Sequence, residues 1–178
     1  MIKAGVGSQQ NIAEPRKAAA DAVREAVAKL DGRKPDIVFM FASIKYDQNE
    51  LMAGAKNEAP GVPIVEASAA GEITSWVSKY DVVNAMAIAS DQIVFSIGCG
   101  AGVAKDSFRA GSEAAKKVIS ENGGKKPGLF IMIPDGITGN GAAIVEGAQS
   151  VLGKNFPIIG GSAGDDYLFK KTFEYCGD

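Results

Sequence analysis

The pattern of apolar and polar positions along the chain predicts alternating strands and helices. Residues 2–8 form a first predicted strand, and the apolar run at 37–42 has the length of a strand covered on both faces. Between them, apolar residues recur at helical spacing from Pro15 to Leu30. A helix at 48–58 and a short strand at 62–66 complete a β-α-β-α-β order, which favours parallel strands with helices outside.

The second half of the chain shows a related pattern. Residues 82–89 and 92–99 are strand-like runs joined by a two-residue link, which predicts a central antiparallel hairpin. After it we expect helices at 106–121 and 141–152 and strands at 129–133, 157–159 and 169–175. The predicted fold class is α/β, with a mixed, mostly parallel sheet and flanking helices.

The two halves also share their turn residues. A Lys-Pro pair precedes the apolar strand of each half, at 34–35 and 126–127, and a Pro-Ile pair opens a later strand, at 63–64 and 157–158. We therefore expect a single domain over 1–178 built from two duplicated β-α-β-α-β halves, about 1–80 and 92–178, which the hairpin joins. Chance similarity of turn chemistry in two α/β units is the alternative.

Composition and charge remove several classes of function. With 19 basic and 21 acidic residues the net charge is −2, which does not support nucleic-acid binding. Histidine is absent, so neither Ser-His-Asp catalysis nor a His-ligated metal site can form within this chain. No apolar run reaches the length of a membrane helix, so we expect no membrane insertion. Cys99 and Cys176 form no CxxC motif, and we interpret them as reduced thiols of a cytoplasmic protein, with a structural disulfide as the alternative. No cofactor or metal is predicted.

Three loops after predicted strands carry the candidate chemistry. In α/β sheets ligands bind beyond the carboxyl ends of strands, and a duplication would bring equivalent loops together. The loop at 134–141 offers backbone N–H groups to an anion, and the loops at 68–72 and 160–166 combine glycines, hydroxyls and carboxylates. The alternatives are a tight strand-to-helix turn and an Asx turn. Trp76 is either the wall of a cleft or a packing residue. The candidate ligand-binding residues are Ser68, Gly71, Glu72, Asp135, Gly136, Thr138, Gly139, Asn140, Gly161, Ser162, Gly164, Asp165 and Asp166.

Catalysis and scaffolding are the competing interpretations. The stretch around Ser162 fits the GxSxG pattern of a nucleophile elbow, but no histidine is available to activate the serine. A hydrolase or transferase would have to use Ser162 or Cys99 with carboxylate partners. A protein-interaction scaffold would present a surface patch in place of a pocket. We name no catalytic residue.

The motifs resemble those of the FIST domain family, specifically its N-terminal region. The resemblance is carried by Gly-Val-Gly-Ser at 5–8, the strand at 35–42, Ser-Ala-Ala-Gly-Glu at 68–72, the glycine turn at 134–141, and Gly-Gly-Ser-Ala-Gly-Asp-Asp at 160–166 with Phe169 and Thr172 beyond. It implies a ligand-sensing module of intracellular signal transduction that binds a small molecule such as an amino acid and acts on a downstream signalling domain or protein. It also implies that a C-terminal FIST region is absent from this chain. The family brings no catalytic residues.

Overall fold

The computed structural model describes residues 1–73 and 78–177, and the chain forms two compact units. The first unit combines Met1–Val94 with Gly164–Asp178, and the second is Phe95–Ala163. Trp76 lies outside the described residues. Within the described ranges, no helix has both the length and the apolar character that a membrane span needs.

Nine strands and four helices are assigned in the described residues. In chain order they are β1 (Ile2–Gln9), α1 (Pro15–Ala28), β2 (Ile37–Ser43), α2 (Gln48–Glu58), β3 (Ile64–Ala69), β4 (Glu72–Ile73), β5 (Ser78–Lys79), β6 (Val83–Ser90), α3 (Ser107–Glu121), β7 (Phe130–Met132), α4 (Gly141–Leu152), β8 (Ile158–Gly160) and β9 (Glu174–Gly177).

The first unit contains a five-stranded sheet in the order β1-β6-β2-β3-β9. Only β2 and β3 pair in parallel, joined by α2, whereas β6 runs antiparallel to both of its neighbours and β9 antiparallel to β3. The short strands β4 and β5 form a separate antiparallel pair. The apolar core lies between this sheet and the helices α1 and α2.

The second unit is smaller. Its strands β7 and β8 pair in parallel, and α4 connects them. Helices α3 and α4 pack against each other over a core that includes Ala115, Phe130 and Ala148. Asp106 caps α3 by accepting a hydrogen bond from the N–H of Arg109, as its position before the helix predicts.

The α/β class and the mixed sheet are confirmed, but two expectations about the sheet are wrong. The large sheet is mostly antiparallel, because β6 inserts between β1 and β2 in the opposite direction. The central hairpin does not form, and residues 92–99 carry no strand. Strand β6 pairs with β1 on one side, as in Ile2↔Ser90, and with β2 on the other, as in Ile37↔Ile88. Neither side of β6 is therefore left for a hairpin partner.

The duplication of two halves is not confirmed. Each unit contains one β-α-β crossover with parallel strands, and this common element accounts for the turn residues that recur in the sequence. The expectation of two reduced thiols is wrong, because Cys99 and Cys176 are both disulfide-bonded.

Glycines let the elements of the first unit approach at backbone distance. A Cβ atom on Gly7 would lie 2.0 Å from the carbonyl oxygen of Ala22 in α1, and one on Gly5 would lie 2.1 Å from that of Ala26. On α2, a Cβ on Gly54 would lie 2.0 Å from the carbonyl oxygen of Arg16. Real atoms cannot approach so closely, so α1 could not keep its place between β1 and α2 with larger residues there.

A carboxyl group is buried in the middle of the same sheet. Glu66 on β3 is paired with Met40 of β2 and Tyr175 of β9 and is 1% exposed. Among the described residues, neither of its carboxyl oxygens has a hydrogen-bond partner. Burial, with a smaller contribution from the charge of Glu174, raises the pKa of Glu66 to about 8. The group is therefore mainly protonated in the folded protein at neutral pH.

We expect Gly7→Ala to destabilise the protein by about 1–3 kcal/mol, since the new methyl group overlaps the backbone of α1. The measurement is the free energy of unfolding in urea. Gly128→Ala is the control, because a Cβ at Gly128 meets no atom within 4 Å. Equal stability of the two variants would contradict the close packing of α1 on β1.

We expect Glu66→Gln to remove part of the pH dependence of stability. The pKa of Glu66 is higher in the folded than in the unfolded chain, so its contribution to stability is present at low pH and is lost as pH rises to about 8. The advantage of Glu66→Gln over the wild type should grow by up to about 1.4 kcal/mol per pH unit between about pH 5 and about pH 8. Urea unfolding at several pH values measures this difference. Exposed Glu121→Gln is the control, and a difference that stays constant with pH would contradict the protonated state.

Candidate functional site

Loops from several strands lie together at one end of the large sheet, where the strands begin or end. Strands β1, β2 and β3 end there and β6 begins there, as the pairings Gln9↔Val83, Ala42↔Val83 and Ser43↔Ala69 show. We call it the carboxyl edge, since both parallel strands finish on it. Ligands of α/β proteins bind at this kind of edge, so its polar side chains are the first place to look for a site.

Ser68 attaches the end of the chain to the carboxyl edge. Its hydroxyl donates a hydrogen bond to the carbonyl oxygen of Gly164 (2.8 Å) and accepts one from the N–H of Phe173 (3.0 Å). Its own N–H donates to the carbonyl of Phe173, and its carbonyl accepts from the N–H of Gly164. Ser68 is 1% exposed, so its polar groups hold residues 164–173 in place and are not accessible to a ligand.

Asp165 organises the loop that follows Gly164. Its carboxylate accepts hydrogen bonds from the backbone N–H groups of Phe169 (3.1 Å), Lys170 (2.7 Å) and Lys171 (3.3 Å). The bond from Lys170 contributes most to a pKa below the ordinary aspartate value. Asp165 is buried, so this carboxylate fixes the loop and is not directed at solvent.

Three other acidic side chains meet at the end of β2, and together with Ser43 and Lys45 we call them the acidic cluster. They are Glu72, Asp81 and Asp166. The Ser43 hydroxyl lies 3.4 Å from a carboxylate oxygen of Asp81 and 3.4 Å from one of Asp166. A hydroxyl has one hydrogen, so only one of these oxygens can accept from it. The Lys45 ammonium lies 2.8 Å from Oδ1 of Asp81, the same oxygen that faces the Ser43 hydroxyl.

Glu72 is the buried member of the acidic cluster, with 2% of its surface exposed. One carboxyl oxygen accepts a long hydrogen bond of 3.4 Å from the N–H of Val82. The other, Oε1, has no partner among the described residues. Burial is the main cause that raises the pKa of Glu72 to about 7, and the charges of Asp166 and Asp81 raise it further. A buried, unpaired acceptor costs free energy that a donor from a ligand would recover.

The backbone around the cluster is strained. Asp81 (φ 62°), Asp166 (φ 55°), Tyr167 (φ 61°) and Phe169 (φ 53°) are all in the left-handed region, which residues other than glycine rarely adopt. Each such residue costs on the order of 1–3 kcal/mol and persists only where its surroundings enforce it. Strain of this kind concentrates at ligand sites.

The glycine loop of the second unit is held by its own side chains. Asp135 accepts from the N–H groups of Ile137 (2.8 Å) and Thr138 (3.0 Å) and from the Thr138 hydroxyl (2.5 Å). Asn140 caps α4 through the N–H of Ala143. Two of the amides that the sequence offered to an anion, those of Ile137 and Thr138, therefore already have an internal acceptor. A Cβ on Gly136 would lie 1.9 Å from the carbonyl oxygen of Ala163, so this glycine is needed for packing.

The remaining predicted residues form no catalytic arrangement in the described structure. Gly161 and Ser162 are exposed, and no hydrogen bond within the described residues activates the serine hydroxyl. Cys99 is disulfide-bonded and presents no free thiol. Across 1–73 and 78–177, no three or more acidic or cysteine side chains are arranged to hold a metal ion.

Of the residues that the sequence predicted, the structure brings Glu72 and Asp166 into the acidic cluster of the first unit, near the internally bonded Ser68, Gly164 and Asp165. The glycine of the same loop, Gly71, lies against the ring of Tyr80. Gly139 packs against Val103 and Ser107 of the second unit. That all three loops share one site stays a prediction.

Sequence reasoning missed three members of the cluster. Ser43 directly follows the predicted strand 37–42, so the rule of strand carboxyl ends could have found it. Lys45 and Asp81 gave no such signal. Asp81 reaches the cluster because β6 runs antiparallel to β2, which the sequence did not predict.

Comparison with known proteins shows which family the chain belongs to. No curated protein matches the chain. The family model of the FIST N domain matches residues 36–178, which include both parallel strands, the acidic cluster and the second unit. The match covers most of the chain and confirms the resemblance of the sequence motifs. The chain therefore belongs to the FIST N domain family, a family of sensory domains of signal transduction.

Proposed function

We propose that this domain senses a small ligand through the acidic cluster at the carboxyl edge, where an ammonium group of the ligand donates hydrogen bonds to the carboxylate of Glu72. The observation that carries the proposal is the unpaired, buried Oε1 of Glu72 between two further carboxylates. An ammonium group supplies both the hydrogen-bond donors and the positive charge that this cluster lacks. Amino acids and simple amines both carry such a group.

The charges of the cluster support a cation over an anion. Asp81 and Asp166 flank the Ser43 hydroxyl, and Lys45 is the basic side chain that balances them. When Glu72 ionises, three carboxylates face one lysine. A ligand cation removes this imbalance, whereas an anion would increase the repulsion.

The burial of Glu72 gives the site a way to report binding. A ligand reaches Oε1 only when the residues that cover Glu72 move aside, so binding and loop movement are coupled. Such coupling is what a sensory domain needs in order to act on a downstream signalling domain or protein. We propose this role for a cytoplasmic protein without nucleic-acid partners, and catalysis forms no part of the proposal.

We expect amine binding to strengthen as pH rises through about 7, because only ionised Glu72 attracts the ammonium group. Below that pH the affinity should fall by up to about tenfold per pH unit. Calorimetric titration with methylamine and glycine between about pH 5 and about pH 8 measures this, because both ligands keep their ammonium group there.

Glu72→Gln should lower the affinity by about tenfold or more at neutral pH and remove the pH dependence, since the amide has no charge. The variant should remain folded, because it no longer has to bury an ionisable group. Exposed Glu121→Gln is the matched control and should bind like the wild type. Failure of amines and amino acids alike to bind or to raise the melting temperature at millimolar concentration would reject the proposed function.

A further inference from the structure

The loops around the acidic cluster expose an apolar rim to solvent. Ile73 next to Glu72 is 82% exposed, and Tyr167 next to Asp166 is 78% exposed. Phe169, in the same loop as Tyr167, is 76% exposed, and Tyr80 next to Asp81 is 69% exposed. Each of these side chains belongs to the first unit and lies within three residues of a carboxylate of the cluster. We call these four residues the apolar rim.

The rim is held in position. The carboxylate of Asp165 bonds the N–H groups of Phe169 and Lys170, so the loop from 165 to 171 is closed on itself. Tyr167 and Phe169 adopt left-handed backbone conformations within that closed loop. On the other side, the Tyr80 ring lies against Gly71, where a Cβ would come within 3.3 Å of it. Exposed apolar side chains on fixed loops are typical of binding surfaces.

The lysine of the acidic cluster and the amides beside the cluster are already engaged by carboxylates. Lys45 is engaged by Asp81, and the neighbouring amides of residues 169–171 are engaged by Asp165. The amide of Val82 donates to Glu72 itself. A carboxylate on the carbon next to the ligand's ammonium group would therefore lie close to the like charges of Asp81 and Asp166.

We infer that the ligand of this site is an amine with an apolar or aromatic body and without a carboxylate, and that the apolar rim selects that body. This inference rests on the proposed function, since it assigns the class of ligand to the same site. The ammonium group pairs with Glu72, and the apolar part covers Tyr80, Tyr167 and Phe169. Aromatic faces close to an ammonium group add a cation–π attraction.

Matched pairs of ligands test the class directly. Phenethylamine is compared with L-phenylalanine, and isopentylamine with L-leucine, by calorimetric titration of the full chain at about pH 8, where Glu72 is mainly ionised. Each amine should bind about tenfold or more tightly than its amino acid, because the added carboxylate faces like charges. Phenethylamine should also bind more tightly than methylamine.

Two variants test the role of the rim. Phe169→Asn and Tyr167→Asn remove the apolar surface, and asparagine tolerates the left-handed backbone better than most residues, so both should fold. Each should weaken phenethylamine severalfold and leave methylamine unchanged. Val94→Asn is the matched control, because Val94 is an equally exposed apolar residue beyond the opposite end of β6.

The outcomes separate this inference from the proposed function. If an amino acid binds as tightly as its amine or more tightly, and Glu72→Gln abolishes that binding, the ligand class is wrong while the site stands. If phenethylamine and methylamine lose affinity equally in the Phe169 and Tyr167 variants, or lose none, the rim has no role in selection. If no amine and no amino acid binds, both the inference and the proposed function are rejected.

Discussion

The site of this domain depends on the hydrogen bonds of one buried serine. Ser68 uses its N–H, its carbonyl and its hydroxyl to hold Gly164 and Phe173, and so fastens the last residues of the chain onto β3. This attachment brings the segment that carries Asp166 to the end of β2, where a carboxylate oxygen of Asp166 lies 3.4 Å from the Ser43 hydroxyl. Ser68 has a hydroxyl that looks suited to contact a ligand, but its hydrogen bonds instead hold the segments of the site together.

Asp165 and Glu72 differ in the hydrogen bonds that backbone N–H groups donate to their carboxylates. Asp165 receives three backbone N–H groups, so its charge is satisfied and its loop is fixed. Glu72 accepts a long bond from the N–H of Val82 and keeps one oxygen without a partner in the described structure. A cation is expected to bind where a carboxylate lacks hydrogen-bond donors. The number of carboxylates in a region does not by itself indicate such a site. Glu66 also lacks hydrogen-bond partners in the described structure, but it is mainly protonated at neutral pH and therefore carries no charge to attract a cation.

Much of the secondary structure and the family could be predicted from the sequence. Helix α2 has the bounds that its spacing predicts, and Asp106 caps α3 as expected. Glu72 and Asp166 were identified as site residues because they follow buried strands. The pairing of β6 could not be predicted, because an apolar strand fits equally well beside several partners. Asp81 was missed for this reason, since its position depends on which strand lies next to β2.

The amino-acid sequence by itself determined the four helices and most of the strands, the absence of histidine chemistry and the family of the domain, because these follow from local periodicity, composition and motif. Only the tertiary structure decided which polar groups are free. Asp135, Asp165 and Ser68 look like ligand contacts in the sequence, yet their neighbours in space supply their hydrogen-bond partners. Glu72 looks no different, but in the fold its Oε1 lacks a partner among the described residues. Hydrogen bonding between segments distant in sequence cannot be read from local pattern, and this is why the candidate site emerges only from the fold.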